Sequence, residues 1–262
     1  MHGPAAPAVI SLRQLAADLT AALLFSTRLP VPGAAAISGA DIARAGWALP
    51  VAGAIVGMIA AAVYWLARLA GLPPLPAAGL TIAASMLATG CLHEDGLADL
   101  ADSFGAATRE RKLEIMRDSR IGTYGVCALF TSLLLRAGAL ATISEPALAA
   151  PILVATHMAA RSGMAPFMRL LPPAREDGLS VGVGRPPGVS AVAAAIIGVL
   201  TLGLALGPAA GLFAVVLMAS EFALLAWLCM RQIGGQTGDV LGALEQIGEI
   251  TILLVAAATA GA

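Results

Sequence analysis

Apolar runs of about twenty residues recur along this chain, and each is long enough to cross the roughly 30 Å hydrocarbon layer of a bilayer as a helix. With 59% hydrophobic and only 12% charged residues, against about 25% charged in soluble domains, a soluble globular fold is excluded. The expected architecture is all-α: a polytopic membrane bundle of about seven or eight helices, forming a single integral membrane domain over residues 1–262. Glycine, proline and charge punctuation place helices near 11–28, 46–70, 75–93, 122–143, 147–170, 189–206, 208–232 and 239–260. The first carries Arg13 and Asp18 and reads equally as a span or an interfacial helix. Few aromatics and abundant Gly and Ala, as from Gly46 to Gly57 and Gly198 to Gly207, predict close helix packing through small residues. Arg13, Asp18 and Arg28, without a small-residue cleavage site, argue against a cleaved signal peptide. Cys91, Cys127 and Cys229, widely spaced in apolar surroundings, read as buried small hydrophobes rather than a disulfide or zinc framework. No basic patch with interleaved aromatics points to nucleic acid; the partners expected are membrane lipid and small molecules.

Loops at 71–74, 144–146 and 207 contain no Lys or Arg. The polar stretches 29–45, 94–121, 171–188 and 233–238 are separated by even numbers of crossings, so they share one face, with Arg28, Arg44, Arg109, Arg111, Lys112, Arg117, Arg120, Arg169, Arg175, Arg185 and Arg231 on or beside it. That asymmetry predicts a cytoplasmic face.

On that face, His93-Glu94-Asp95-Gly96-Leu97-Ala98-Asp99-Leu100-Ala101-Asp102 ends an apolar run. Read as helix, it stacks Asp95, Asp99 and Asp102 on one side, where like charges repel unless a cation lies among them. Hard oxygen ligands so arranged suit Mg²⁺ or Mn²⁺ bridging a phosphorylated substrate. Arg109 to Met116 reads as a charged surface helix. Asp118, Ser119 and Arg120, followed by Gly122 and Gly125, give a polar turn beside cations able to hold phosphate; alone, the segment is also a headgroup-binding amphipathic face. Residues 174–184 read as a flexible Gly-rich loop, either closing over a substrate or simply joining helices. In Gly234-Gly235-Gln236-Thr237-Gly238-Asp239, Gln236, Thr237 and backbone amides can bind phosphate or a purine edge, while Asp239 is a helix cap or a metal ligand.

Charges inside apolar segments need partners. Glu245 and Glu249, one turn apart, form a second acidic stripe; Arg161 is a phosphate clamp or their ion-pair partner; Arg136 and Glu221 read as structural. His93 can orient a metal ligand or act as a base, whereas His157 reads as a satisfied interior histidine.

Three segments carry a family resemblance: His93 to Asp102, Lys112-Leu-Glu-Ile-Met-Arg-Asp-Ser-Arg-Ile-Gly-Thr-Tyr-Gly125, and Gly234 to Ala243. With Phe25-Ser-Thr-Arg-Leu-Pro-Val-Pro32 they resemble the signature segments of the cobalamin synthase (adenosylcobinamide-GDP ribazoletransferase) family, over residues 24 to 249. Glu94 departs from the pattern, where an apolar residue is expected, and either adds a ligand or faces water. The resemblance implies a Mg²⁺-dependent enzyme of the cell inner membrane, joining adenosylcobinamide-GDP to α-ribazole or its 5′-phosphate and releasing GMP. It implies Asp95, Asp99 and Asp102 on the metal with Asp118 and Asp239 as further ligands. Lys112, Arg117 and Arg120 would hold the diphosphate, Gln236, Thr237 and Gly238 the phosphate or guanosine, and His93 or an aspartate would serve as base. Homo-oligomer or pathway-enzyme contacts are an expectation of the resemblance alone.

Two alternatives belong to other classes. A CDP-alcohol phosphotransferase uses a similar acidic motif, but Asp99 stands where that motif places Arg, and its later Asp-rich run is missing. A cation transporter could use the same carboxylates, yet the opposite loops offer almost no polar groups.

Overall fold

The computed structural model describes residues 11–31 and 37–260; Pro32, part of the opening motif, lies outside them. The described residues form helices throughout: α1 Leu12–Ser26, α2 Gly39–Arg44, α3 Leu49–Leu69, α4 Pro74–Thr89, α5 Leu92–Ser103, α6 Arg109–Ile115, α7 Thr123–Ile143, α8 Pro146–Ser162, α9 Met164–Leu170, α10 Leu179–Val183, α11 Gly188–Leu206, α12 Pro208–Gln232 and α13 Gly238–Ala260. Five runs are long and apolar enough to span a bilayer: Gly39–Leu69, α7, α11, α12 and Gly238–Thr259 of α13. α4 followed by α5 would make a sixth, bent by 91°. Because α5 is polar and turned across the end of α4, the crossing there belongs to α4. The protein is thus a polytopic helical membrane protein, as expected, with five or six candidate spans by length and apolarity against the approximate seven or eight helices expected.

The differences have local causes. The expected helix 147–170 breaks at Gly163, because Pro166 has no N–H to return to the Ser162 carbonyl. The 75–93 helix ends earlier because Gly90 and Cys91 are both left-handed, with φ of 67° and 57°. The non-glycine Cys91 costs about 1–2 kcal/mol there and turns the chain sharply into α5. Within the Gly-rich loop, Leu179–Val183 closes one turn of helix, α10, that packs on α2.

Small residues set the packing. A Cβ at Gly53 would lie 2.2 Å from the His157 carbonyl oxygen, and one at Gly57 2.6 Å from Val154 Cα, so α3 and α8 meet backbone to backbone. α13 is the central helix, with 78% of its spanning window buried, against 17% for α12. Large side chains such as Phe130, Leu204, Phe213 and Trp227 point outward, as a lipid-covered surface requires. Cys229 is buried, but Cys91 and Cys127 are exposed, a correction to the expectation that all three are interior; all are free thiols.

The polar stretches gather at one end of the bundle. Arg28 N–H donates to the Ala88 carbonyl, Ser190 Oγ bridges Arg44 and Trp47, and Arg109 reaches the carbonyls of Ile233 (2.8 Å) and Ala174 (2.6 Å).

Candidate active site where α5 meets the start of α13

Gly96 lets α5 lie against the first turn of α13: a Cβ there would be 2.7 Å from the Asp239 carbonyl oxygen. Thr237 Oγ1 accepts from Val240 N–H (3.3 Å) and caps α13, so Asp239 is not the cap. The Asp239 carboxylate accepts instead from Thr237 Oγ1 (3.1 Å) and Arg175 Nη2 (3.3 Å). Asp95 and Asp239 line one cavity of about 70 Å³ with Phe25, His93, Met164 and Gly242, large enough for an ion and a few waters but not for a nucleotide.

Asp99 stands beside this pair. Burial, then the charges of Asp95, Asp239 and Asp102, push its carboxyl up to about 7, with Arg175 the opposing cation. Such mutual repulsion among oxygen donors is what a divalent cation relieves; Asp95 and Asp239, which share the cavity, fit Mg²⁺ or Mn²⁺, with Asp99 beside them.

The other sequence-selected residues are differently engaged. Both oxygens of Asp102 accept backbone bonds, from Gly122 N–H (2.6 Å) and Gly125 N–H (2.8 Å), so it fastens the start of α7 to α5. Asp118 is half-buried and forked by Arg120, which holds its carboxyl down to about 2; this pair does not join the cavity. Arg117 is paired with Asp177. Lys112 is buried and donates Nζ to the Ala106 carbonyl (2.5 Å). The cation that does reach the site is Arg175, paired with Asp239; in sequence it stands in a loop, and its place just before a Gly-rich turn is the only local signal of it.

Beneath the cavity lies a buried ionic network. Arg161 is fully buried and pairs with Glu245 (2.5 Å) and, more distantly, Glu249 (3.6 Å). Arg136 joins Glu249 (2.8 Å) to Glu94 (3.2 Å), and His157 Nδ1 is 2.5 Å from Glu249. Of the alternatives for Arg161, the geometry gives ion pairing, and Glu94 neither ligates nor faces water but turns to α7. His157, Glu245 and Glu249 bring ligand atoms within 4.8 Å of one another, near enough to hold a metal ion. Two guanidiniums already occupy that group, however, and a divalent cation would have to displace them. His93 lines the cavity and connects the two regions: its Nδ1 faces Arg161 Nη2 (3.4 Å) and Glu245 (3.7 Å), while Nε2 is buried with no partner among the described residues.

A family model described as cobalamin-5-phosphate synthase matches residues 18–257. The chain belongs to that family. Among relatives, the adenosylcobinamide-GDP ribazoletransferase of Bradyrhizobium diazoefficiens is 55% identical over 253 residues, 96% of this chain and 97% of that protein. Those of Mesorhizobium japonicum and Azorhizobium caulinodans, bearing the same name, are 50% and 46% identical, over 94% and 92% of this chain and 95% of each relative. No solved structure matches. The family match gives no support to phospholipid synthesis or cation transport.

Proposed function

We propose that the chain is an adenosylcobinamide-GDP ribazoletransferase acting at the cytoplasmic face of the cell inner membrane. The convergence of Asp95, Asp99 and Asp239 on one end of the bundle carries this reading, in a chain 55% identical to a protein of that name. The ribazole 5′ oxygen forms a bond to the cobinamide-side phosphorus; the bond from that phosphorus to the bridging oxygen breaks, and GMP leaves with the electron pair.

Asp95 and Asp239 would hold Mg²⁺, which supplies charge neutralisation for the diphosphate and the departing GMP. Asp99, whose carboxyl is pushed up to about 7 by burial and its carboxylate neighbours, takes the hydroxyl proton; with a 5′-phosphate nucleophile no base is needed. His93 lines the cavity with Nδ1 set between Arg161 and Glu245, which orients its ring beside the phosphate. Arg175 adds a cation beside Asp239, and the turn Gln236, Thr237 and Gly238 contacts the nucleotide. Orientation and electrostatics at a fixed site then supply most of the rate enhancement.

The test is turnover of purified protein with adenosylcobinamide-GDP and α-ribazole. GMP release coupled to cobalamin formation is expected, with a loss of about 10²-fold or more in Asp95→Asn and Asp99→Asn. No product from the wild type, or near wild-type turnover by both variants, would sink the assignment.

A further inference from the structure

A second cavity, of about 350 Å³, lies on the other side of the 236–238 turn, lined by Arg169, Leu171, Pro173, Gly184, Arg185 and Gln236 among others. Gln236 is only 1% exposed, yet its Oε1 has no hydrogen-bond partner among the described residues. Nothing in the fold uses that acceptor, and a buried amide oxygen left unpaired is costly. The backbone beneath it is fixed: Gln236 N–H donates to the Pro172 carbonyl (2.9 Å) and Ala174 N–H to the Gln236 carbonyl (2.8 Å). Gly235 permits this approach, since a Cβ there would be 2.3 Å from the Pro172 oxygen. Arg185 Nε donates to the Arg169 carbonyl (2.7 Å) and Arg169 Nη1 to the Pro186 carbonyl (2.9 Å), which sets two guanidiniums in the wall, flat surfaces on which a base can stack.

We propose that this cavity is the nucleobase subsite and that Gln236 reads guanine. The inference rests on the transferase reading above and deepens it. Guanine presents N1–H and a 2-amino group to an acceptor, whereas adenine presents a bare ring nitrogen at the same edge. Asp239 is three positions beyond Gln236, at most about 11 Å of extended chain, a distance one nucleoside diphosphate bridges. The base would therefore occupy the Gln236 cavity while the diphosphate reaches the carboxylates.

Binding of GDP, ADP and inorganic pyrophosphate to the purified full chain with Mn²⁺, measured by calorimetry, tests this. The wild type is expected to favour GDP over ADP by roughly tenfold. Gln236→Leu should lose that preference while pyrophosphate binds as before. Gln236→Glu, which keeps an acceptor but offers adenine no donor, should widen the preference several-fold, and it carries the test if the leucine variant does not fold. An unchanged GDP to ADP ratio in either variant, or equal losses of GDP and pyrophosphate, overturns the proposal. Its failure is separable from that of the transferase reading, because wild-type turnover is measured independently of base discrimination.

Discussion

Replacing Arg161 by methionine removes a fully buried guanidinium that contacts Glu245 at 2.5 Å, the His157 carbonyl at 2.9 Å and His93 Nδ1 at 3.4 Å. Glu245, itself fully buried, then has no cation beside it among the described residues except the more distant His93, with Gln246 Nε2 donating at 3.1 Å. Leaving a buried charge without its partner costs about 3–5 kcal/mol, and at about 2–4 °C per kcal/mol the melting temperature should fall by roughly 6–20 °C. A double variant, Arg161→Met with Glu245→Gln, removes both charges and should recover most of the loss, because the cost lies in the orphaned carboxylate rather than in the pair. Buried Cys229 offers the assay. In a background with Cys91 and Cys127 changed to serine, a thiol-reactive dye labels only on unfolding, at fixed detergent and lipid. A single variant that melts with the parent, or a double variant no more stable than the single, would refute the view that this network is held by charge pairing.

Acting as base, Asp99 must be ionised, so turnover with α-ribazole should fall as pH drops through about 7, or lower once a bound cation draws the carboxyl down; Asp99→Asn should abolish that inflection. Without divalent cation the sign for stability is opposite: the folded chain binds more protons than the unfolded one between about pH 4 and 7, so melting temperature should decline as pH rises through that window. Asp102→Ala strips the acceptors from Gly122 and Gly125 N–H and should destabilise the protein by about 1–3 kcal/mol, read by the same dye assay, with Mn²⁺ affinity changed less than in Asp95→Asn.

Much of the fold was legible because membrane helices announce themselves by apolar runs ended by glycine and proline: the ranges 122–143, 189–206 and 208–232 match α7, α11 and α12 within a residue. What escaped was decided by backbone geometry that spacing does not show and by contacts far apart in sequence. The break at Gly163 depends on a proline three residues later, and the 91° turn at Gly90 and Cys91 on two left-handed residues, only one of them glycine. The pattern Asp95, Asp99, Asp102 does lie on one helix, but spacing cannot show that Asp102 is spent on two backbone amides from α7. Equally, nothing local marks Arg175 as the partner of Asp239 or Glu94 as the partner of Arg136, pairs separated by 64 and 42 positions. The 171–188 and 233–238 stretches looked like separate loops, yet their backbones hydrogen-bond to each other.

A metal centre in this protein depends on the carboxylates where α5 meets α13. Mn²⁺ binding followed by electron paramagnetic resonance on the purified protein, in wild type, Asp95→Asn and Glu245→Gln, tests it most directly. About tenfold or greater loss of affinity is expected in Asp95→Asn, and wild-type affinity in Glu245→Gln. Undiminished binding in Asp95→Asn, with loss in Glu245→Gln, would move the metal centre to the buried His157, Glu245 and Glu249 group and contradict that dependence.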